Sequence, residues 1–392
     1  MDSRFEVLVL NQISPAGLKR LPPERYAVGK DAAQPDAILV RSADMHALTI
    51  AASVKAIGRA GAGTNNIPVA EMSRRGVPVF NAPGANANAV KELVLAGMLI
   101  AARNLVPAVQ FVAGLRGADE AIARQVEEEK KRFAGVELPG HTLGVIGLGK
   151  IGSLVADAAI RLGMSVIGYD PEITVDAAWS LPAQVRKAHA IEEVLKASHF
   201  VTLHVPLTKA TRALVSTERL ALLKPGAILL NFSREGIVDD AAVVEALEAR
   251  RLKAYVTDFP TARLAGHGAV VALPHLGAST REAEDNSAVM VVDQVRDYLE
   301  HGTVRNAVNF PDVVMEREAP YRVAIANANV PNMLGQISTA MARAGLNIHN
   351  MLNKSKGEMA YTLVDVDSRV PDAAIETIRR IDGVLAVRYL PS

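Results

Sequence analysis

Short apolar runs alternate with amphipathic stretches over most of the 392-residue chain. Apolar runs bounded by glycine or polar residues are typical of buried strands, and apolar residues three or four positions apart are typical of helices. In the N-terminal part this pattern predicts strands at Glu6–Leu10, Ala37–Arg41, Ala56–Gly58 and Val77–Asn81, and one long helix from about Ala89 to Arg116. We therefore expect an N-terminal α/β domain.

The alternation continues beyond Gly140. An amphipathic helix is predicted at Ile151–Leu162 and another at about Glu282–His301. The predicted strands of this part are Leu143–Ile146, Ser165–Tyr169, Phe200–His204, Ala227–Asn231, Ala254–Thr257 and Val270–Leu273. Strands that alternate with helices in this way predict a doubly wound parallel sheet, the Rossmann arrangement.

A connector rich in proline and charge, Val304–Pro320, precedes a different pattern. Its elements are predicted as strands Tyr321–Ala326, Ile348–Lys354, Met359–Asp365 and Val384–Tyr389, and helices Met333–Ala344 and Pro371–Arg380. The order is strand, helix, strand, strand, helix, strand. This order predicts a separate ferredoxin-like βαββαβ domain.

The sequence Gly147-Leu-Gly149-Lys-Ile-Gly152 lies between a predicted strand and a predicted helix. In such a motif the first glycine permits a tight turn, the second lets backbone N–H groups approach a pyrophosphate, and the third allows close helix packing. Asp170 ends the next strand, where an acid can accept hydrogen bonds from the adenosine ribose. Since no arginine is close to Asp170, the motif favours NAD over NADP.

Composition excludes several classes of protein. The chain has no cysteine, which excludes disulfides, thiolate metal sites and a cysteine nucleophile, and we predict no metal. Its net charge of +1 comes from scattered basic residues, so no nucleic-acid partner is expected. No apolar run is long enough to span a bilayer, and the N-terminal residues do not resemble a secretory signal. We expect a cytoplasmic protein without a membrane partner.

Polar residues follow three predicted strands of the central sheet, at His204, Arg234 and His275. Ligands bind open α/β sheets at the carboxyl ends of the strands. An imidazole can take up and release a proton near neutral pH, so His275 is the candidate acid–base. Arg234 offers a planar cation for a carboxylate and a carbonyl oxygen. The alternatives are that His275 caps a turn and that Arg234 makes a surface ion pair.

Four segments give the chain a specific resemblance: Gly58–Asn65, Val79–Asn86, the glycine motif and Pro274–Thr280. From about Arg41 to its C-terminus the chain resembles the D-isomer-specific 2-hydroxyacid dehydrogenases, and within them the branch that oxidises 3-phosphoglycerate to 3-phosphohydroxypyruvate, the first step of serine synthesis. The resemblance implies an NAD-dependent enzyme. Two alternatives stay open: another small 2-hydroxy acid, such as glycerate, hydroxypyruvate or lactate, or an NADH-sensing protein without catalysis.

The resemblance also implies an organisation into domains. Residues 1–100, completed by about 282–312, would form a flavodoxin-like substrate domain. Residues 101–281 would form the NAD-binding Rossmann domain, and residues 318–392 would resemble a regulatory ACT domain. A homodimer or homotetramer is expected.

Site residues follow from the same resemblance, with Arg234 and His275 as the catalytic pair. The cofactor residues are expected to be Gly147, Gly149, Lys150, Ile151, Gly152, Asp170, Val205, Pro206, Phe232, Ser233, Asp258, Gly277 and Ala278. The substrate residues are expected to be Arg41, Ser42, Arg59, Gly61, Ala62 and Lys130. For Lys130 and the two basic residues after it, a solvated charge run is an equal alternative.

One family residue is missing. Family members place a glutamate beside the catalytic histidine, and this chain has Ala262 or Arg263 there, depending on the alignment. Neither side chain can act as the carboxylate partner. The histidine then either works without such a partner or uses Asp258 or Glu282 instead.

The ACT-like part carries asparagines at positions that bind serine in regulated relatives: Asn327, Asn329 and Asn347. Carboxamides can bind both the carboxylate and the ammonium of an amino acid. We therefore expect L-serine as an effector, bound across a pair of ACT domains. The alternative is a module for oligomerisation with turn-forming asparagines.

Overall fold

The computed structural model describes residues 4–391. The chain forms two compact units, one made of the segment up to Asn86 together with the segment from Arg281 onward, and the other of Ala87–Thr280. The first unit opens with strands β1 (Phe5–Val9), β2 (Tyr26–Gly29), β3 (Ala37–Val40), β4 (Ala56–Arg59) and β5 (Val79–Phe80), and helices α1 (Pro15–Leu18) and α2 (Val69–Arg74).

These five strands form a parallel sheet in the order β2-β1-β3-β4-β5. This is the flavodoxin-like strand order, in agreement with the flavodoxin-like domain that the resemblance implied. Strand β2 was not predicted, because it is a short edge strand in which only Tyr26 is buried.

The second unit begins with α3 (Ala87–Ala102) and α4 (Leu105–Gly114). The sequence predicted one helix here, and that prediction is wrong. Asn104 adopts a left-handed conformation with φ of 51°, which ends the regular helix and bends the chain by 64°. Within residues 4–391 no single helix is long and apolar enough to cross a membrane, although this bent pair passes the test by length and composition.

A seven-stranded parallel sheet forms the core of the second unit, in the order β12-β11-β10-β9-β6-β7-β8. Its strands are β6 (Thr142–Ile146), β7 (Ser165–Tyr169), β8 (Arg186–Lys187), β9 (Phe200–Leu203), β10 (Ala227–Asn231), β11 (Leu252–Thr257) and β12 (Val270–Ala272). Its further helices are α5 (Asp119–Glu129), a 3-10 helix (Lys130–Phe133), α6 (Lys150–Arg161), α7 (Val175–Trp179), α8 (Ile191–Ala197), α9 (Thr217–Leu220) and α10 (Asp240–Glu248). Apart from the two-residue β8, the sequence predicted every strand of this doubly wound sheet.

The chain returns to the first unit through α11 (Arg281–His301), which packs beside β4. The C-terminal elements are β13 (Tyr321–Ala328), α12 (Met333–Arg343), β14 (Ile348–Lys356), β15 (Met359–Val366), α13 (Asp372–Arg379) and β16 (Val384–Pro391). They form an antiparallel sheet in the order β14-β15-β13-β16. The predicted βαββαβ arrangement is confirmed.

Both faces of the C-terminal sheet are buried. Val323 and Val364 pack in the apolar cluster that includes α12 and α13. On the opposite face, Tyr361 and Leu363 belong to the core that includes Tyr298 of α11. The sheet is therefore an integral part of the first unit.

Polar contacts reinforce this second face. The Tyr361 hydroxyl donates to the Gly302 carbonyl at 2.8 Å, and the Arg388 guanidinium donates to the carbonyls of Tyr298 and Leu299. The same guanidinium lies 4.5 Å from the centre of the Tyr298 ring, a cation–π contact. These bonds use carbonyl groups at and just after the end of α11, of which the Tyr298 carbonyl also accepts the Gly302 N–H at 2.9 Å.

A buried ion pair joins β13 and β15, two neighbouring strands of this sheet. Arg322, 1% exposed, donates through Nε and Nη2 to the two carboxylate oxygens of Asp365 at 2.6 and 2.8 Å. Its remaining N–H groups donate to the carbonyls of His301 and Glu316. The guanidinium thus joins the sheet to the end of α11 and to the connector.

Candidate active site

The loop between β6 and α6 carries the three predicted glycines. Gly147 has φ of 91°, and a Cβ atom there would lie 2.5 Å from the His204 carbonyl oxygen. A Cβ at Gly152 would overlap the Gly147 carbonyl, whereas a Cβ at Gly149 would meet no atom within 4 Å. Local packing therefore requires glycine at 147 and 152, and Gly149 leaves open space beside the start of α6.

This loop and Asp170 fit a dinucleotide. Gly149 caps α6 without a side-chain hydrogen bond, so the first N–H groups of the helix, from Lys150 and Ile151 onward, are available to an anion. Asp170 follows β7, and its Oδ2 accepts the Leu148 N–H at 2.8 Å. This bond holds the carboxylate beside the glycine loop, and lone pairs remain for ribose hydroxyls.

The end of β9 lies next to this loop, since β6 and β9 are neighbours in the sheet. The Nδ1 atom of His204 is buried without a hydrogen-bond partner, and Nε2 lies 3.0 Å from the Thr202 hydroxyl. Burial lowers the pKa of His204 to about 3, so the imidazole is neutral at physiological pH. Val205 and Pro206, two predicted cofactor residues, follow it directly; Val205 is partly exposed and Pro206 exposed.

One buried carboxamide shapes the turn after β10. Asn231, 1% exposed, accepts the N–H and hydroxyl of Ser233 and donates to the Arg234 carbonyl at 3.0 Å. Phe232, which lies between Asn231 and Ser233 in the chain, is buried in the core. The sequence analysis did not predict this role of Asn231 in holding the turn. The only signal for it was the position of Asn231 at the end of a strand.

The Arg234 side chain is exposed, and its guanidinium donates to the Ser233 carbonyl at 2.7 Å. Within residues 4–391 it forms no ion pair, which argues against the alternative of a surface salt bridge. A guanidinium with most of its donors unused can bind a carboxylate through two hydrogen bonds.

His275 lies in the loop after β12 in a left-handed conformation, with φ of 57°. Its ring is exposed and packs edge-on against Phe259, with ring centres 5.1 Å apart. A non-glycine residue at positive φ is strained and must be held by its surroundings.

Asp258 supplies that support. Its carboxylate is 1% exposed and accepts the N–H groups of Leu276 and Gly277, each at 2.7 Å. These bonds fix the two residues that follow His275, and Ala278 comes next, exposed. Both Asp258 oxygens therefore bind backbone, which explains the burial of this carboxylate. That Asp258 or Glu282 replaces the missing glutamate stays a prediction.

The region of the missing glutamate contains no substitute acid of its own. Ala262 and Arg263 are both exposed in the loop after β11. The nearby Thr261 hydroxyl donates to Asp240 at 2.8 Å, which anchors this loop to α10. The side chain next to the His275 ring is thus an aromatic one, Phe259.

All these residues of the second unit lie at the carboxyl ends of its strands, which together form one edge of the sheet. Parallel strands share the direction of their carboxyl ends, and neighbouring strands are about 4.8 Å apart. The edge carries, from β7 to β12, Asp170, the glycine loop, His204, Arg234, Asp258 and His275. On these neighbouring strands the glycine loop can bind an anion, Arg234 can bind a carboxylate, and His275 can exchange a proton.

The first unit has its own crevice at the carboxyl ends of β1, β3 and β4, with a volume of about 510 Å³. Arg41 lines it and is paired with Glu284 at 2.6 Å. Arg281 also lines it, and this cation was not singled out from sequence. Ser42 follows Arg41, and its hydroxyl accepts a hydrogen bond from Asn11.

Arg59 is the last residue of β4, and its guanidinium fills the space beside Gly61 in the loop that follows. Gly61 has φ of 148°, and a Cβ there would overlap that guanidinium, so only glycine fits. The Ala62 carbonyl accepts from Asn81 at 2.6 Å, which holds the loop. The structure therefore brings Arg41, Arg59, Gly61 and Ala62 to one end of this sheet.

Lys130 lies in the second unit and pairs with Glu127 at 2.5 Å on the helix surface. Its side chain is 56% exposed. This contact fits the alternative of a solvated charge run.

The three asparagines of the C-terminal sheet do not form one cluster. Asn327 is 1% exposed, with Oδ1 unpartnered, and Asn329 follows at the same end of β13. Asn347 lies at the opposite end of the sheet, where the next residue, Ile348, pairs with Val366, and its amide donates to Asp367 at 2.5 Å. A site that uses all three would need two copies of the chain.

Comparisons with known proteins agree with this geometry. The family described as D-isomer specific 2-hydroxyacid dehydrogenase, NAD binding domain, matches residues 96–277. The D-3-phosphoglycerate dehydrogenase of Methanocaldococcus jannaschii is 36% identical over 328 residues, which cover 81% of this chain and 59% of that protein. The D-3-phosphoglycerate dehydrogenase of Escherichia coli K12 is 30% identical over 358 residues, which cover 88% and 83%.

A solved structure is similar as well. The crystal structure of the NAD⁺-bound 3-phosphoglycerate dehydrogenase of Entamoeba histolytica matches with a TM-score of 0.61 at 26% identity, over 78% of this chain and 99% of that one. The chain spans only about three fifths of the archaeal relative's length. The family match and the NAD⁺-bound neighbour confirm NAD as the cofactor. The chain belongs to the D-isomer-specific 2-hydroxyacid dehydrogenase family.

Proposed function

We propose that this protein oxidises 3-phosphoglycerate to 3-phosphohydroxypyruvate, the reaction that starts serine synthesis. The observation that supports the proposal most is the shared sheet edge of the second unit, where Arg234 and His275 follow β10 and β12 beside the NAD loop. The relatives named D-3-phosphoglycerate dehydrogenase support the choice of substrate.

The chain's own residues can supply the polar chemistry. NAD, when bound, accepts the hydride from the substrate's second carbon. His275 takes the hydroxyl proton, so that the carbon–oxygen bond becomes a carbonyl, and it returns a proton in the reverse reaction. Arg234 binds the carboxylate through two hydrogen bonds and fixes the reacting carbon relative to the imidazole.

The crevice of the first unit supports a phosphorylated substrate. Arg41 and Arg281 bring guanidinium groups there, Arg59 lies at the same end of the sheet, and guanidinium groups bind phosphate well. Ser42, Gly61 and Ala62 would add hydroxyl and backbone donors. We assign Lys130 no essential part, because its pairing with Glu127 suffices to explain it.

The experiment compares substrates and one variant. Purified protein is assayed for NADH absorbance with 3-phosphoglycerate, D-glycerate and D-lactate, and in reverse with 3-phosphohydroxypyruvate. We expect kcat/KM to be highest for the phosphorylated pair, and His275→Asn to lower kcat about 10²- to 10⁴-fold with NAD binding retained. Higher activity with an unphosphorylated acid would overturn the choice of substrate. Tight NADH binding without turnover of any acid would favour the sensing protein instead.

Regulation and assembly form a second part of the proposal. Because Asn327 and Asn347 lie at opposite ends of the C-terminal sheet, we propose that L-serine binds between two copies of a homodimer or homotetramer. The exposed apolar side chains of Val109 and Val112 on α4 support self-association. Loss of serine inhibition in Asn347→Ala, with the oligomer intact by sedimentation, would support this site. A parent enzyme that serine does not inhibit would end it.

A further inference from the structure

A second cavity in the first unit lies along α11, away from the residues that the proposed reaction uses. Its volume is about 530 Å³, within the range of small-molecule sites. The residues that matter for the argument are Asn286, Met290, Asp293, Gln294, Asp297 and Arg305. We call it the α11 cavity.

Gln294 gives the α11 cavity its unusual character. The residue is only 6% exposed, and neither its Nε2 nor its Oε1 has a hydrogen-bond partner. A buried amide without partners is costly, since each unsatisfied polar group loses its hydration without compensation. Gln294 lines the cavity although its amide atoms are covered, so a ligand that displaces this cover could both donate and accept hydrogen bonds there.

Charges of both signs surround this amide. Asp293 and Asp297 lie one helical turn apart on α11, on the same face as Asn286 and Met290. Asp293 pairs with Arg20 at 2.8 Å and with Arg296 at 3.3 Å, and Asp297 makes a longer ion pair with Arg296 at 3.8 Å.

Arg305 supplies the positive charge. It lies in the connector after α11 and makes no ion pair or hydrogen bond within residues 4–391. Arg305 therefore lines the cavity with Asp293 and Asp297 without pairing with either of them.

We propose that the α11 cavity binds a small zwitterion of the α-amino acid class. Arg305 binds the carboxylate, Asp297 the ammonium, and the Gln294 amide completes the hydrogen bonds of either group. Neither a simple anion nor a simple cation would match both charges. The cavity also includes Gly84 and Ala85, which directly precede the boundary between the two compact units at Asn86.

The test is calorimetric titration of the full-length protein with glycine, L-alanine and L-serine at millimolar concentrations. We expect saturable binding of at least one of them by the parent. Two variants probe the cavity: Gln294→Met, which keeps the side-chain length but removes the amide, and the exposed Arg305→Gln, which leaves the core unchanged. Each is expected to raise Kd at least tenfold.

Asn347→Ala is the matched control, because it alters the other amino-acid site proposed above. The α11 cavity predicts that this variant keeps the parent affinity for glycine and L-alanine, whatever happens to L-serine at the other site. Absence of saturable binding in the parent, parent-like binding in Arg305→Gln, or loss of binding only in Asn347→Ala would each overturn the inference. The inference would also fail if the parent bound none of these amino acids and Gln294→Met had a higher melting temperature than the parent. The Gln294 amide would then have no ligand to bind.

Discussion

Replacing Asp258 by asparagine tests whether the loop after β12 positions the proposed acid–base. The carboxylate accepts two backbone N–H groups at 2.7 Å, and it is almost wholly buried. Asparagine has the same size but can accept only one of them, and its NH₂ group would face the other N–H. Losing two charge-assisted bonds and keeping one neutral bond amounts to about 2–4 kcal/mol. Part of this cost falls on the strained backbone of His275.

If the full cost falls on the ordering of that loop, kcat decreases by about 30- to 1000-fold, since about 1.4 kcal/mol corresponds to a factor of ten. The control is Asp239→Asn, another carboxylate that accepts two backbone N–H groups, at the start of α10. Both bonds go to one oxygen, which asparagine keeps, so the melting temperature should change little and kcat should stay within about twofold. Equal kcat in both variants, measured by NADH absorbance with 3-phosphohydroxypyruvate, would show that Asp258 stabilises the fold without positioning His275.

Three further outcomes are expected. Gly152→Ala should abolish NAD binding and destabilise the second unit, because the methyl group would overlap the Gly147 carbonyl. Gly149→Ala should keep the parent melting temperature and lose only NAD affinity. Calorimetry measures the affinity, and melting curves measure the stability. The His204 pKa is about 3, below the value of about 6.5 in the unfolded chain, so the unfolded chain binds more protons below pH 6.5. Stability should therefore decrease by about 1.4 kcal/mol per pH unit as the pH falls from 6.5, and His204→Gln should flatten this slope in urea titrations; an unchanged slope would refute the assignment. Asp365→Leu, which leaves the Arg322 charge buried alone, should cost about 3–5 kcal/mol, and adding Arg322→Met should recover most of that loss in urea unfolding.

The sequence predicted most of the elements because their signals are local. The glycines at 147 and 152 are required by contacts within a few residues or with a neighbouring strand end, and their spacing reports this directly. The prediction of one continuous helix through Asn104 was wrong because the residue types around Asn104 give no local signal of the break. Apolar spacing continues across that residue, and only its backbone conformation ends the helix.

The sequence selected residues that the structure brings to the carboxyl ends of the second unit's strands, and their roles stay predictions. Asp258 was selected as a cofactor contact and as a substitute for a catalytic carboxylate, and its oxygens bind the backbone of residues 18 and 19 positions later. Pairing over such a distance depends on how β11 and β12 align, which residue type alone does not state. The burial of Gln294 is another tertiary property, since an amphipathic helix normally exposes a glutamine.

The covered face of the C-terminal sheet has a consequence for how this protein can be shortened or recombined. A regulatory domain on a free tether can be removed without harm to its enzyme. Here a chain cut before Tyr321 would strip the apolar cover from Tyr298 and Phe310 and leave the carbonyls at the end of α11 without the Arg388 guanidinium. The remainder would expose a hydrophobic surface to water, so the last seventy residues are required for the folding of the first unit and are not a removable appendage.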